Sequence, residues 1–456
     1  MTLWGGRFAD RPDDVLWRYT VDGVDRRLLP WDVRGSLAHV AMLAEVGILD
    51  ETEAAVLREG LRQIATEASE GNFEFLDSDE DVHSAVERRL VELVGAVGGK
   101  LHTGRSRNDQ IALDLRLFLA DACVARASQL RALAGVLADL AERHADDVVP
   151  SYTHLQQAQA ISLGHHLAAH AWWALRNAER FEDARRRIAV SPLGASASGG
   201  SSLPLDPGVT TEELGWDAHF DNSLDAVASR DFASEYGFCC AQTMVDLSRF
   251  AEELILWASA EFGWVEFADA YTTGSSALPH KKNPDIAELA RGRSAGAIGA
   301  LTALLTLQKG LPLAYNRDLQ EDKVHVFALD DTLAGTLGAL GAMLESAEFH
   351  PPAPSSFTTA LDLAEALVER GVPFREAHQV VGRLVARLVA DGRQLSDATA
   401  TDLEAVDQRL RPEDLELTDP SVSVRRRRSP GGGGPDSVRI QVRAIRRAIE
   451  SADPAG

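Results

Sequence analysis

Residues 130–140 read LRALAGVLADL, with Leu130, Leu133, Leu137 and Leu140 spaced along one face of a helix. The stretch sits in an interval without proline that runs from Pro30 to Pro150, and two further intervals run from Pro207 to Pro279 and from Pro312 to Pro351. Proline removes a backbone donor and breaks helix interiors, so these intervals, rich in Ala, Leu, Glu and Arg, predict long helices. Leu247, Ala251, Leu254 and Ala258 repeat the pattern in the second interval. A helix of 40 residues would be about 60 Å long and cannot bury its apolar face alone. The expectation is an all-α fold built on a helical bundle, in an oligomer.

The 456 residues exceed one small core. The expected division is an N-terminal helical domain over residues 1–105, a central long-helix domain over 106–355 and a C-terminal helical domain over 356–456. Forty-five per cent apolar and 25% charged residues describe a globular chain. No uninterrupted run of about 18 apolar residues occurs, so no membrane span is expected. The start of the chain lacks the apolar core of a secretory signal. Cys123, Cys239 and Cys240 form neither a disulfide framework nor a zinc spacing, which points to a reducing cytoplasm. A net charge of −23 argues against nucleic acid as a partner. Among 46 basic residues only Lys100, Lys281, Lys282, Lys309 and Lys323 are lysines, and they cluster beside polar motifs. Arginine does not replace lysine where a compact charge is needed.

The densest polar loop is Thr273-Gly274-Ser275-Ser276-Ala277-Leu278-Pro279-His280-Lys281-Lys282-Asn283-Pro284. Its small residues leave backbone N–H groups free for an anion, and Asn283-Pro284-Asp285 reads as the start of a helix whose positive end faces the loop. Three other polar runs stand far from it: residues 99–110, Pro150 to Gln156 with Thr153 and His154 at an expected helix start, and Tyr315 to Lys323. His166 and His170 lie four apart, but Leu167 stands where a zincin carries glutamate, so no metal is expected there. Gly194 to Ser202 lacks the ending of a phosphate loop. Arg425 to Arg428 before Ser429-Pro430 reads as a solvated surface loop.

Together these runs resemble the fumarase/aspartase superfamily, and within it the argininosuccinate lyases. Gly274 to Pro284 is similar to the superfamily signature loop. Gly98 to Gln110 and Lys309 to Lys323 resemble the narrower family, as do Trp4-Gly5-Gly6-Arg7-Phe8 and Gly371 to His378. The resemblance covers essentially the whole chain and implies a homotetramer around a twenty-helix bundle, each active site shared among three subunits. It implies a cofactor-free β-elimination of argininosuccinate to arginine and fumarate, in arginine biosynthesis. Ser275 would be the general base. Lys281 and Asn283 would hold the dianionic intermediate, and His154 with Thr153 would protonate the leaving nitrogen, oriented by Glu288 of a neighbouring subunit. Ser106, Arg107, Asn108, Tyr315, Gln320, Lys323 and His83 would bind substrate, with Arg230 in support. Leu278, His280, Gln157 and Ala160 depart from the family pattern, and near Val21-Asp22-Gly23 the chain is one residue short of a usual substrate-contacting serine. Two alternatives stay open: an adenylosuccinate lyase, and a silent relative of the kind recruited as a lens crystallin.

Overall fold

The structure, a computed structural model, describes residues 13–451. The Trp4–Phe8 motif and the segment read for a secretory signal lie outside them. Five long helices dominate: α1 (Arg107–Arg143), α2 (Leu163–Ile188), α3 (Asp231–Ala258), α4 (Asp285–Gln308) and α5 (Asp322–Glu345). The expected all-α class holds, with only short strands added. Leu130, Leu133, Leu137 and Leu140 are buried, as are Leu247, Ala251 and Leu254.

The chain divides into two compact units. The first comprises 1–127, 179–244 and 293–334. Its N-terminal part packs the helices Leu29–Glu45, Glu51–Ser69 and Val82–Val94 around Leu43, Leu57, Leu61, Ile64 and Leu90. Asp50 and Asp81 cap the second and third of these helices through reciprocal side-chain and backbone bonds. Each such cap contributes about 1 kcal/mol. Deeper in this unit Tyr236 of α3 donates to Asp330 of α5 at 2.5 Å. Cys123, Cys239 and Cys240 are all buried free thiols. Burial pushes the Cys239 thiol up to about 12 and raises Cys123 and Cys240 as well.

The second unit comprises 128–178, 245–292 and 335–456. Its C-terminal helices Ala360–Glu369 and Phe374–Ala390 enclose Leu363, Leu367, Val380, Leu384 and Leu388. A hairpin, β1 (Val148–Thr153) and β2 (Gln156–Ser162), runs antiparallel with a register shift between Pro150 and Tyr152. The Ser151 hydroxyl exchanges hydrogen bonds with the backbone of Gln159 at 3.0 and 3.1 Å, which satisfies that irregularity. Gly164, just beyond β2, admits no side chain, because a Cβ would stand 2.2 Å from the Ala141 carbonyl oxygen.

Three expectations need correction, and one further observation bears on the expected absence of a membrane span without overturning it. Thr153 and His154 do not start a helix; they end β1 and enter the hairpin turn. The helix after the signature loop begins at Asp285, so Asn283 precedes the cap position. Arg425 to Arg428 is not simply a solvated loop: Arg425 ends the helix Pro420–Arg425, and Arg427 pairs with the buried Asp362 at 2.7 Å. Finally, the helical run Arg317–Glu345 is long and apolar enough by length and composition to cross a membrane, although half of its apolar window is buried in the fold. Its first turns hold Asp322 and Asp330, both buried and both paired within the protein.

Candidate active site

The first unit contains a cavity of about 200 Å³ whose walls include His83, Arg107, Asn108, Tyr315, Gln320 and Lys323. The fold therefore gathers into one place six of the residues that the resemblance marks for substrate. They come from three sources: the helix Val82–Val94, the first turn of α1 and the segment leading into α5.

Five of the six are fixed by hydrogen bonds to a neighbour. Arg107 Nη1 donates to Asp81 Oδ1 at 2.9 Å, so the residue capping Val82–Val94 also anchors a cavity guanidinium. Arg107 Nη2 is buried and makes no hydrogen bond, leaving a charged donor unsatisfied. Gln320 Nε2 donates to the Thr20 carbonyl and to Asp22 Oδ2, both at 3.1 Å. Asn108 Nδ2 donates to the Ala197 carbonyl at 2.8 Å. Lys323 Nζ donates to Asp322 Oδ1 at 3.1 Å, and Arg230 Nε holds the other oxygen of that carboxylate at 2.6 Å. Arg230 thus reaches the cavity wall through Asp322. Ser106 is not among the lining residues; its hydroxyl accepts from the Asn108 N–H at 3.3 Å at the start of α1.

Behind His83 lies a buried polar cluster. Asp32 Oδ1 accepts at 2.9 Å from His83 Nδ1 and at 2.5 Å from Gln110 Nε2, while Asp114 Oδ2 stands 3.5 Å from the same imidazole nitrogen. Burial and the neighbouring Asp32 push the Asp114 carboxyl well above its ordinary range. Asp109 is raised by burial to about 6 despite accepting from the N–H groups of Ser106 and Ser196. Burial also raises Tyr315.

Sequence reasoning missed the acidic side of the cavity. Asp22, Asp25, Glu80 and Asp81 line it together with the cations Arg107, Arg317 and Lys323. Asp22 belongs to the Val21-Asp22-Gly23 segment, where the chain is one residue short of the family pattern. Arg317 Nη2 donates to the Thr20 carbonyl at 2.8 Å. A cavity lined by both signs suits a small ligand that also carries both.

The residues marked for chemistry lie in the second unit. A backbone bridge closes the base of the signature loop, with the Asn283 N–H donating to the Thr273 carbonyl at 2.8 Å and the reverse bond at 3.1 Å. Within the loop Ser275 Oγ accepts from the N–H groups of Leu278 at 3.1 Å and Ala277 at 3.3 Å. Such donors favour the alkoxide over the hydroxyl. Lys281 and Glu288 are exposed, and neither makes a side-chain hydrogen bond among the described residues. Lys282 instead pairs with Glu266 at 3.1 Å and Asp269 at 2.9 Å.

Thr153 and His154 sit at the exposed tip of the hairpin. His154 and Leu155 both have φ of 56°, the left-handed conformation that a two-residue turn between strands demands and that glycine or asparagine usually supplies. Side chains other than these cost about 1 kcal/mol or more at such positions. No glycine marks this turn, which explains why it was read as a helix start. Among the described residues no hydrogen bond joins Glu288 to His154, or the hairpin tip to the signature loop.

Comparison with known proteins gives a consistent picture. A lyase family profile matches residues 6–299, and an argininosuccinate lyase C-terminal profile matches residues 357–425. The argininosuccinate lyase of Frankia casuarinae is 47% identical, over 99% of this chain and 98% of its own length. That of Acidothermus cellulolyticus is 48% identical, over 98% and 94%. Among solved structures, an EDDS lyase variant with bound fumarate superposes with a TM-score of 0.80 at 28% identity, covering 95% of this chain and 88% of its own.

Proposed function

This chain belongs to the argininosuccinate lyase family, and from that premise we propose that it splits argininosuccinate into arginine and fumarate by β-elimination. The observation that carries the reading is the cavity of both signs. Argininosuccinate joins an amino acid and a guanidinium to a dicarboxylate, so a binding site for it needs cations and carboxylates together, and Arg107, Arg317 and Lys323 line this one together with Asp22, Asp25, Glu80 and Asp81.

Ser275, as its alkoxide, takes the proton from the succinyl carbon adjacent to a carboxylate. The freed electron pair spreads into that carboxylate, and Lys281 with the backbone N–H groups of the loop stabilises the dianion. The pair then returns to form the double bond of fumarate while the carbon–nitrogen bond breaks. The departing guanidinium nitrogen takes a proton from His154, directly or through Thr153. Asn283 steadies the loop, since its amide lies within 3.5 Å of the Gly274 carbonyl. Arg107, Asn108, Tyr315, Gln320, Lys323 and His83 bind and orient the substrate, Ser106 shapes the turn that carries Asn108, and Arg230 positions Lys323 through Asp322.

We place the active enzyme in the cytoplasm as a homotetramer with shared active sites. In support, α4 leaves Leu289, Ile298 and Leu305 about half exposed, a costly apolar face for an isolated chain. Glu288 lies on the same helix, in its first turn, where it could meet His154 of another copy.

Fumarate release followed by ultraviolet absorbance tests the function, with argininosuccinate and adenylosuccinate offered in parallel to the purified protein without added cofactor. Fumarate from argininosuccinate alone is expected. Release from adenylosuccinate alone overturns the substrate, and release from neither overturns the activity.

A further inference from the structure

Away from the cavity and the signature loop, the second unit brings together three side chains that neither the mechanism nor the family comparison uses. His166 and His170 lie one turn apart on α2, so their rings share a face, with centroids 5.6 Å apart. Glu253 of α3 supplies the carboxylate that the sequence around the two histidines lacks. Its Oε2 stands 2.8 Å from the Nε2 atom of each imidazole. We propose that His166, His170 and Glu253 form a binding site for one divalent transition-metal ion of the zinc class, which braces α2 against α3.

Two observations carry this beyond a hydrogen-bonded trio. First, the donor set of two imidazoles and one carboxylate is a common three-ligand zinc set, and all three ligand atoms lie within 4.8 Å of one another. Tetrahedral coordination at about 2.0–2.1 Å spaces ligand atoms about 3.4 Å apart. Glu253 therefore has to withdraw by only about half an ångström, and its side chain is 38% exposed and free to do so. Second, the rings are held in place. His170 stacks on Phe250 with centroids 4.1 Å apart, and His166 meets the edge of Trp257 at 4.9 Å.

Two features limit the affinity. His170 Nδ1 is buried and makes no hydrogen bond, whereas a ligating imidazole normally donates its second N–H, a contact worth about 10–100-fold in affinity. Arg249, whose guanidinium lies 4.4 Å over the Trp173 ring, adds a repelling charge near His170.

The test uses the full-length protein without an affinity tag, stripped by chelator and titrated with zinc chloride against a chromophoric chelator. One zinc per chain is expected, with a rise in Tm on addition of zinc. Glu253→Gln and His166→Gln, which alter partly exposed positions, should each weaken binding about tenfold or more and abolish the rise in Tm. Cobalt(II) should give visible absorption bands of low-coordinate geometry in the parent protein and lose them in both variants. Less than one zinc per chain, or binding that neither substitution alters, overturns the proposal. If one variant fails to fold, as circular dichroism would reveal, the other still decides.

Discussion

The cavity of the first unit and the signature loop of the second make opposite use of charge. In the cavity Arg107, Gln320 and Lys323 each donate to a neighbouring oxygen, and Asp322 is clamped from two sides. In the loop, on the first turn of α4 and on the hairpin tip, Lys281, Glu288 and His154 are exposed and make no side-chain hydrogen bond among the described residues. If the cavity binds substrate as proposed, recognition is built into the fold, where a bound ligand meets groups already fixed. The groups assigned to proton transfer stand outside, where loop closure or another copy of the chain can still organise them. Such a division allows the reacting groups to move without loosening the site that selects the substrate.

The contrast can be broken most sharply at Ser275. Ser275→Ala should lower kcat by at least about 10³-fold in the fumarate assay while changing Tm little, because the Ser275 hydroxyl bonds only within its own loop, to the N–H groups of Ala277 and Leu278. A variant with a near-parental rate would end the assignment of Ser275 as base. The converse holds at Asp322, where Asp322→Asn leaves the buried Arg230 and Lys323 without their carboxylate. A loss of about 3–5 kcal/mol is expected in urea unfolding, and a loss below 1 kcal/mol would show that the cavity wall is not braced this way.

A smaller effect concerns pH. Asp109 titrates in the folded state at about 6 rather than 3.8, so the native protein holds its proton longer than the unfolded chain does. The stability this contributes is present below about pH 4 and is lost as pH rises towards 6, by about 3 kcal/mol in all. Unfolding measured from pH 4 to 6 should therefore differ in slope between the parent and Asp109→Asn, the parent losing stability relative to the variant. Parallel slopes would contradict a raised Asp109. The smallest effect lies at the hairpin tip. Leu155→Gly relieves a left-handed backbone and should stabilise the protein by up to about 1 kcal/mol in urea unfolding. A clear destabilisation would mean that the Leu155 side chain, 76% exposed, has a contact in the assembled enzyme.

The long helices were legible because proline is excluded from them for a local reason, and the apolar repeat of Leu130 to Leu140 needs no knowledge of partners. Six residues that the resemblance marks for substrate line one cavity, and they were found through motifs whose local order is that of the family. What stayed hidden depends on distance along the chain. Asp22 and Gln320 meet across 298 positions, and no local pattern announces it. Glu253 joins His166 across 87 positions, so a search for metal motifs on one helix sees only two of the three members of the cluster. The hairpin at His154 was obscured differently, because residues of ordinary side chain occupy a turn that normally advertises itself with glycine.

The three buried cysteines have a practical corollary. A thiol that is sealed in the core and reluctant to ionise reacts slowly with maleimides or iodoacetamide. The native enzyme is therefore close to a blank background for covalent labelling. A single cysteine introduced at an exposed position such as Leu278 would take a fluorophore almost alone, turning the motion of the signature loop into an optical signal without any prior removal of native thiols.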